Sequence, residues 1–248
     1  MNSGSDSSVI SVVIPTLNEE KLIKQTLAQF TPELKKKYKI EIIISDGGST
    51  DSTISIVEGA ADFVLKSKAD TKQNIPIGRN AGTKHASGSY FYFFNADTRI
   101  ENIDNFFERT LSELQKPEIA ALTMKFNVFP EEKRFSDSLF HAFYNSYVFI
   151  LNSLGMGMGR GECHIVKRSI FEKINGYNET LAAGEDFDLY RRIKKFGKIK
   201  FIRDLRVYES PRRYRKYGYS KVFLDWSKNA ISVVMKNRSV SDEWDPVR

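Results

Sequence analysis

Hydrophobic positions along the chain fall into short continuous runs separated by amphipathic stretches. Val9–Pro15 (VISVVIP) and Ile40–Ser45 (IEIIIS) are β-branched runs, the mark of strands buried on both faces. Tyr90–Phe94 (YFYFF) and Ala120–Phe129 read the same way, with shorter strands expected at Asp62–Lys66 and Cys163–Val166. Helices are expected between them. Asn18 would cap one running to Phe30, with Glu19 and Glu20 in its first turn. Others are expected at Thr53–Ala60, Gly78–Ala86, Ile103–Leu114, Lys167–Ile174, Phe187–Phe196 and about Ser220–Met235. This alternation predicts an α/β fold, with a Rossmann-like, mostly parallel central sheet and helices on both faces. Residues 1–8 read as a disordered tail, 9–218 as one domain, and 219–248 as a C-terminal amphipathic helix and tail.

Ser138–Gly159 is 22 residues without a formal charge. Its length invites a transmembrane reading, but His141, Asn145, Ser146, Asn152 and Ser153 are costly in hydrocarbon. On a helix, Leu139, Phe143, Tyr147, Ile150 and Leu154 form one stripe, with Ser138, His141, Asn145 and Asn152 opposite. The pattern suits a helix packed on the sheet, and also one lying in a membrane surface; taken alone it favours the packed helix.

The chain has 248 residues, 41% hydrophobic and 28% charged, which excludes collagenous, low-complexity and wholly disordered classes. Its one cysteine, Cys163, excludes an intrachain disulfide and a Cys-based zinc site and fits a reducing compartment. The first residues lack the basic start and apolar core of a signal peptide. The net charge of +7 is unevenly spread: the stretch from Arg191 to Lys221 holds 13 Lys and Arg against Asp204 and Glu209. Such a block seeks phosphate on a nucleotide, a lipid or a nucleic acid, or simply solvates a face.

In parallel sheets ligands bind beyond the carboxyl ends of the strands. Three strands here end in PTLNEE, SDGGSTD and FNADT. Asp46, between three isoleucines and two glycines, can accept from a nucleobase imide or a ribose hydroxyl, or can simply form the turn. Asn95 and Asp97 project the same way from the end of an aromatic strand. Asn95 can bind a ribose hydroxyl, and Asp97 is a hard oxygen ligand for Mg2+ or Mn2+ bridged to a diphosphate. Glu185 and Asp186 open a helix, where acids complement the dipole; Asp186 can also serve as a general base, while Asp188 faces elsewhere. Arg79 and Lys84 share a helix near the expected diphosphate, and Arg212, Arg213 and Arg215 follow Pro211. No GxxxxGKS loop and no GxGxxG after the first strand is present, so ordinary ATP and dinucleotide sites are unsupported. Acids at three strand ends would repel a polyanion, and no nucleic-acid motif occurs.

Taken together, VVIPTLNEE, IIISDGGSTDST, GRNAGTKHASGSYFYFFNADT and GEDFDLYRRIKKFG resemble the motifs of the family-two glycosyltransferases, in that family's order and spacing, from Ser11 to about Tyr217. The resemblance implies an inverting enzyme of the GT-A fold, with its catalytic domain in residues 9–218. It implies a base pocket lined by Pro15, Leu17 and Glu19, with Asp46 on the base and Asn95 on the ribose. Asp97 would bind the metal, and Glu185 and Asp186 would be the catalytic acidic pair with Asp186 as base. Arg212, Arg213 and Arg215 lie where some members carry Q-x-x-R-W near the diphosphate, without that motif's Gln or Trp. Asn95 stands in place of the first Asp of a DxD motif, and Gly47 in place of the second Asp of a DDGS turn.

The activity so implied is transfer of a hexosyl unit from a UDP- or GDP-sugar to a hydroxyl or phosphate acceptor, lipid-linked or saccharide. A silent nucleotide-sugar-binding protein and a sugar-phosphate nucleotidyltransferase are the rival readings; the acidic PTLNEE segment disfavours the latter, which needs a Gly-rich basic loop. The uncharged stretch, the basic block, and Phe223 and Trp226 of the last helix point to peripheral contact with the inner face of the cell membrane.

Overall fold

A computed structural model of the chain describes residues 9–67 and 74–241. The tail expected at 1–8 and the polar end beyond 241 lie outside the described residues. The strands are β1 (Ile10–Thr16), β2 (Ile40–Asp46), β3 (Phe63–Lys66), β4 (Tyr90–Phe94), β5 (Arg99–Ile100), β6 (Ile119–Val128), β7 (Cys163–Lys167) and β8 (Lys198–Glu209). They form one sheet in the order β3-β2-β1-β4-β7-β6-β8-β5. β7 and the short β5 run against the remaining strands. β1 pairs in parallel with both β2 and β4, so their carboxyl ends open on one side of the sheet, and the polar segments after each strand meet there.

The helices are α1 (Ile23–Ala28), α2 (Pro32–Tyr38), α3 (Thr53–Val57), α4 (Ile75–Thr83), α5 (Ile103–Leu114), α6 (Phe135–Ser153), α7 (Arg168–Lys173), α8 (Glu185–Ile193), α9 (Arg212–Tyr217) and α10 (Tyr219–Lys236). The two-residue period of the strands sorts the core. Val12, Ile14, Ile42, Ile44, Tyr92 and Phe94 pack with Leu34, Tyr38, Phe106 and Phe107 of α2 and α5. Val13, Ile43, Phe91 and Phe93 point the other way, onto Phe171, Leu189 and Tyr190 of α7 and α8. Cys163 opens β7 opposite Phe94 and is fully buried.

The structure departs from the sequence reading in four places. Asn18 caps no helix: it sits at φ 54, its side-chain oxygen accepts from the Thr50 amide at 2.8 Å, and its own amide donates to Ser49. α1 starts only after Leu22, so Glu19 and Glu20 precede it. The proline-initiated α2 was not foreseen, although Thr31 caps it by accepting from the Leu34 amide. β8 was hidden by its lysines and arginines; its inward positions Ile199, Ile202, Leu205 and Val207 are buried, and a bulge between Ile202 and Arg206 shifts its register on β6.

The fourth concerns α6, whose apolar stripe faces outward, with Leu139 65%, Phe143 52%, Ile150 51% and Leu154 71% exposed. The buried side instead carries Asp137, His141, Tyr144, Asn145 and Val148. Asn145 replaces an edge partner for β6: its Nδ2 donates to the Phe126 carbonyl at 2.9 Å, and its Oδ1 accepts from the Phe126 amide at 3.0 Å. No described helix is long and apolar enough to cross a membrane. α10 lies across α6, with Phe223 against Phe143 and Tyr144, and Trp226 against Tyr144.

The sheet tolerates no side chain at Gly88, where a Cβ would lie 2.7 Å from the Ser11 backbone nitrogen and 2.8 Å from the Ile10 carbonyl carbon. Gly88→Ala should therefore cost about 1–3 kcal/mol through overpacking of backbone that cannot give way. Urea denaturation checks it against Gly59→Ala, whose Cβ meets nothing within 4 Å.

Candidate active site

A cavity of about 870 Å3 opens where β1, β2 and β4 end, and extends between α6, α8, α9 and α10. Pro15, Leu17, Glu19, Arg79, Asn95, Asp97, Glu185, Asp186, Arg212 and Arg213 all line it. Three residues anticipated at or near the site, Asp46, Lys84 and Arg215, do not reach it. Asp46 is 1% exposed. Its Oδ1 accepts from the amides of Gly48 (2.9 Å) and Ser49 (2.8 Å), and its Oδ2 accepts from the hydroxyls of Thr16 (2.8 Å) and Ser49 (2.5 Å). It shapes the loop after β2, and Gly47 and Ser45 form the wall there. Arg215 forks onto Asp137 at 2.6 and 2.9 Å and pins α9 to α6. Burial works against the Asp137 charge, yet Arg215 and Tyr219 hold its carboxyl down to about 2. Lys84 caps α4 in the solvent, away from the cavity.

Arg79 lies beneath the floor, with no exposed surface. Its guanidinium donates to Asn95 Oδ1 at 2.9 Å and to the Gly161 carbonyl, and stands 3.5 Å from Glu185 Oε1. One buried cation thus joins the end of β4, the loop before β7 and the first turn of α8. It is an organiser of the floor: one terminal nitrogen donates to both Asn95 and Gly161, while Nε has no hydrogen-bond partner among the described residues. α8 begins after Gly184 at φ 79, a backbone shape that favours glycine. This turn sends Glu185 toward Arg79 and leaves Asp186 facing the cavity. Asp188 is buried away from it, paired with Arg192 at 2.7 Å.

The electrostatics separate these acids. Burial, then the charge of Glu185, push the Asp186 carboxyl up to about 7. Burial also raises Glu185, against the pull of Arg79. Burial raises Asp97 to about 6, with Arg212 opposing and Glu19 and Glu162 adding to the rise. Arg212 forks onto Glu19 at 3.1 and 3.2 Å and approaches Asp97 Oδ2 at 3.4 Å.

A second charged group in the wall was missed by reading the sequence. Arg160 lies over Phe126, Tyr144 and Trp226, 4.8–5.6 Å from their ring centroids. It donates to Glu209 at 2.6 Å, to Glu162 at 3.2 Å and to the Tyr214 hydroxyl at 3.2 Å. Burial raises Glu209 well above the carboxylate range. Burial works the same way on Glu162, but Arg160 and the hydrogen bonds to that carboxyl together outweigh it and keep it low. Burial, then Arg160, lower His141 to about 3. The signal was present in the run Gly159-Arg160-Gly161-Glu162: charged residues between glycines fit neither a helix face nor a strand face.

Among the described residues no group of three or more His, Cys, Asp or Glu could hold a metal ion. Asp97 alone of the DxD-like pair offers a carboxylate, beside Glu19. One protein carboxylate suits Mg2+ or Mn2+, whose remaining oxygens come from substrate phosphates and water. The residues therefore fit a cation that is completed by a diphosphate.

The model of the family described as glycosyl transferase family 2 matches residues 11–175. The probable glycosyltransferase YdaM of Bacillus subtilis is 24% identical over 245 residues, covering 92% of this chain and 56% of the relative. A dolichyl N-acetyl-alpha-D-glucosaminyl phosphate 3-beta-D-2,3-diacetamido-2,3-dideoxy-beta-D-glucuronosyltransferase of Methanococcus voltae is 35% identical over 91 residues, 35% of this chain and 28% of that protein. The chain thus spans about half or less of the length of these relatives. Among solved structures, the mannosyltransferase PcManGT of Pyrobaculum calidifontis, in complex with GDP-Man and Mn2+, superposes with a TM-score of 0.68 at 20% identity. That match covers 92% of this chain and 63% of the other. Glucosyl-3-phosphoglycerate synthase of Mycobacterium tuberculosis, with Mn2+, UDP and glucosyl-3-phosphoglycerate, gives 0.55 at 15% identity, over 92% and 79% of the two chains.

Removing the buried guanidinium should be costly. Arg79→Gln would strip Glu185 of its cation and leave the Gly161 carbonyl and Asn95 poorly partnered. A loss of about 3–5 kcal/mol is expected, as for other broken buried ion pairs. Chemical denaturation measures it, and an unchanged midpoint would contradict the organising role.

Proposed function

The chain belongs to glycosyl transferase family 2, and from that premise we propose that it moves a hexosyl unit, with inversion, from a UDP- or GDP-sugar to a hydroxyl or phosphate of a lipid-linked acceptor. The observation that carries this reading is the placing of Asp97 and Asp186 on one cavity beyond the strand ends, each raised by burial. Inversion needs one displacement and one base. Asp186 suits that base: its carboxyl faces the cavity, whereas Glu185 is committed to Arg79. A base with a pKa near 7 combines a useful ionised fraction with enough basicity to take the acceptor proton as its oxygen attacks.

Pro15 and Leu17 with Ser45 and Gly47 would receive the base, and Asn95, fixed by Arg79, a ribose hydroxyl. Asp46 would act by shaping the base-side loop. Asp97 would hold Mg2+ or Mn2+, and Arg212 and Arg213 would face the diphosphate. The metal, when bound, supplies neutralisation of charge on the departing diphosphate. Binding of GDP-Man with Mn2+ in the Pyrobaculum enzyme and of UDP with Mn2+ in the mycobacterial synthase supports a metal-nucleotide donor.

The outward stripe of α6 supports peripheral contact with the inner face of the cell membrane. Beside it Arg203 lies 4.1 Å above Phe149, and the Lys194 side chain lies beside Gly155 just past the helix. Much of the rest of the basic block is taken up internally: Arg192, Arg206, Arg212, Arg215 and Lys221 all have acidic partners. Apolar side chains bordered by cations fit an anionic leaflet.

Three outcomes are expected. Asp97→Ala and Asp186→Asn should each lower turnover by roughly 10²-fold or more, read as sugar release or transfer from a panel of UDP- and GDP-sugars. Near-normal turnover of Asp186→Asn would remove it from the base role. The base works ionised, so kcat/KM should climb as pH rises through about 7, the raised Asp186 value, and this acid limb should vanish in Asp186→Asn. The protein should co-sediment with anionic vesicles at low salt, and Leu139→Ser with Phe143→Ser should abolish this while nucleotide binding persists.

A further inference from the structure

We infer that Arg212 is the resident cation of the donor site, a positioning residue that holds Glu19 and Asp97 until a diphosphate draws it away and frees Asp97 for the metal. The inference rests on the metal-nucleotide reading above and adds an order of binding to it. Three separately anchored segments meet at this guanidinium. Glu19 follows β1, and its amide donates to Thr53 Oγ1 at 2.8 Å. Asp97 lies in the turn after β4, where the Thr98 amide donates to the Asn95 carbonyl and the Asn95 amide to the Glu162 carbonyl. Arg212 begins α9, whose far side is fixed by Arg215 on Asp137 and by Tyr214, buried and donating to Glu209 at 2.9 Å. Held in this way, α9 extends its first side chain over the cavity.

The bridge is electrically required. Glu19 and Asp97 are both nearly buried, with side chains 10% and 12% exposed, and with Glu162 they concentrate negative charge where an anionic diphosphate has to enter. Arg212 is the cation the structure places on Glu19 and Asp97, with two contacts to Glu19 and a looser 3.4 Å approach to Asp97. The asymmetry matters. The contact with Asp97 is the one that yields, while Glu19 keeps the guanidinium at the cavity edge. A diphosphate offers the same fork of oxygens as a carboxylate, with more charge. When it takes the guanidinium, Asp97 loses its counter-ion as phosphate oxygens become available to complete a cation's shell. Each ligand therefore raises the affinity of the other by the same factor.

The test is Mn2+ binding by the full chain, followed by electron paramagnetic resonance of free Mn2+, with and without UDP and, in parallel, GDP. Wild type should bind Mn2+ weakly alone and tightly with the matching nucleotide. Arg212→Gln should bind Mn2+ without nucleotide about 10-fold or more tighter than wild type, and the nucleotide without Mn2+ more weakly. Arg212→Lys, which keeps the charge, should restore the weak nucleotide-free Mn2+ binding, a recovery that a merely structural role would not give. Arg212→Met, with a side chain of similar reach, repeats the test should the glutamine variant fold poorly. If wild type binds Mn2+ with nucleotide but neither neutral variant binds it more tightly alone, the resident-cation role is overturned and the metal-nucleotide reading stands. If no form binds Mn2+ under any condition, both fall.

Discussion

A guanidinium sealed from water sets the terms for everything above it. Arg79 has no exposed surface and an isolated charge there would be untenable, so partners have to converge on it. They come from three places far apart in sequence: Asn95 at the end of β4, the Gly161 carbonyl before β7, and Glu185 at the start of α8. The half of the sheet that begins the chain and the half that ends it are thereby locked in one relative position at the cavity floor. Asn95 gains its orientation from this contact, and Asp186 gains its freedom, because its neighbour Glu185 satisfies the cation.

Above that floor the wall is a low-dielectric surface with more carboxylates than cations. Glu19, Asp97, Glu162, Glu185, Asp186 and Glu209 face or border the cavity with Arg79, Arg160, Arg212 and Arg213. Burial pushes most of these acids toward the neutral form, and a neighbouring arginine offsets it to different degrees: Glu209 stays raised although Arg160 donates to it at 2.6 Å. Glu162 stays low beside Arg160, while Asp186, which no arginine touches, rises to about 7.

Much of the fold was legible because strands buried on both faces leave an unmistakable record: VISVVIP, IEIIIS and YFYFF became β1, β2 and β4 with shifts of a residue at most. The cavity lining was legible at strand ends and helix starts, as at Asp97 and Asp186, which both face it. It was illegible where one residue type has two uses. Asp46 looks like a ligand and serves its own loop, and Arg215 looks like a phosphate binder and fastens two helices. α6 was hardest. Its periodicity placed the stripe correctly, but its buried side carries Asn145 on the Phe126 backbone of β6, Asp137 under Arg215, and Tyr144 and Val148 in the core, so the apolar stripe faces solvent. A hydropathy pattern fixes which residues share a face; the groups around the helix decide which face turns inward.

The single thiol has a use that its inertness makes possible. Cys163 lies at the start of β7, beside its register partner Phe94 in the middle of the sheet, and burial keeps its thiol protonated well above the usual range. A thiol in that state is silent toward aqueous labelling reagents while the strands stay closed. Its modification rate therefore clocks the separation of β4 from β7, the seam where the two halves of the molecule join. The protein carries a built-in reporter of sheet opening that needs no added probe and, with one cysteine in 248 residues, has no background to subtract.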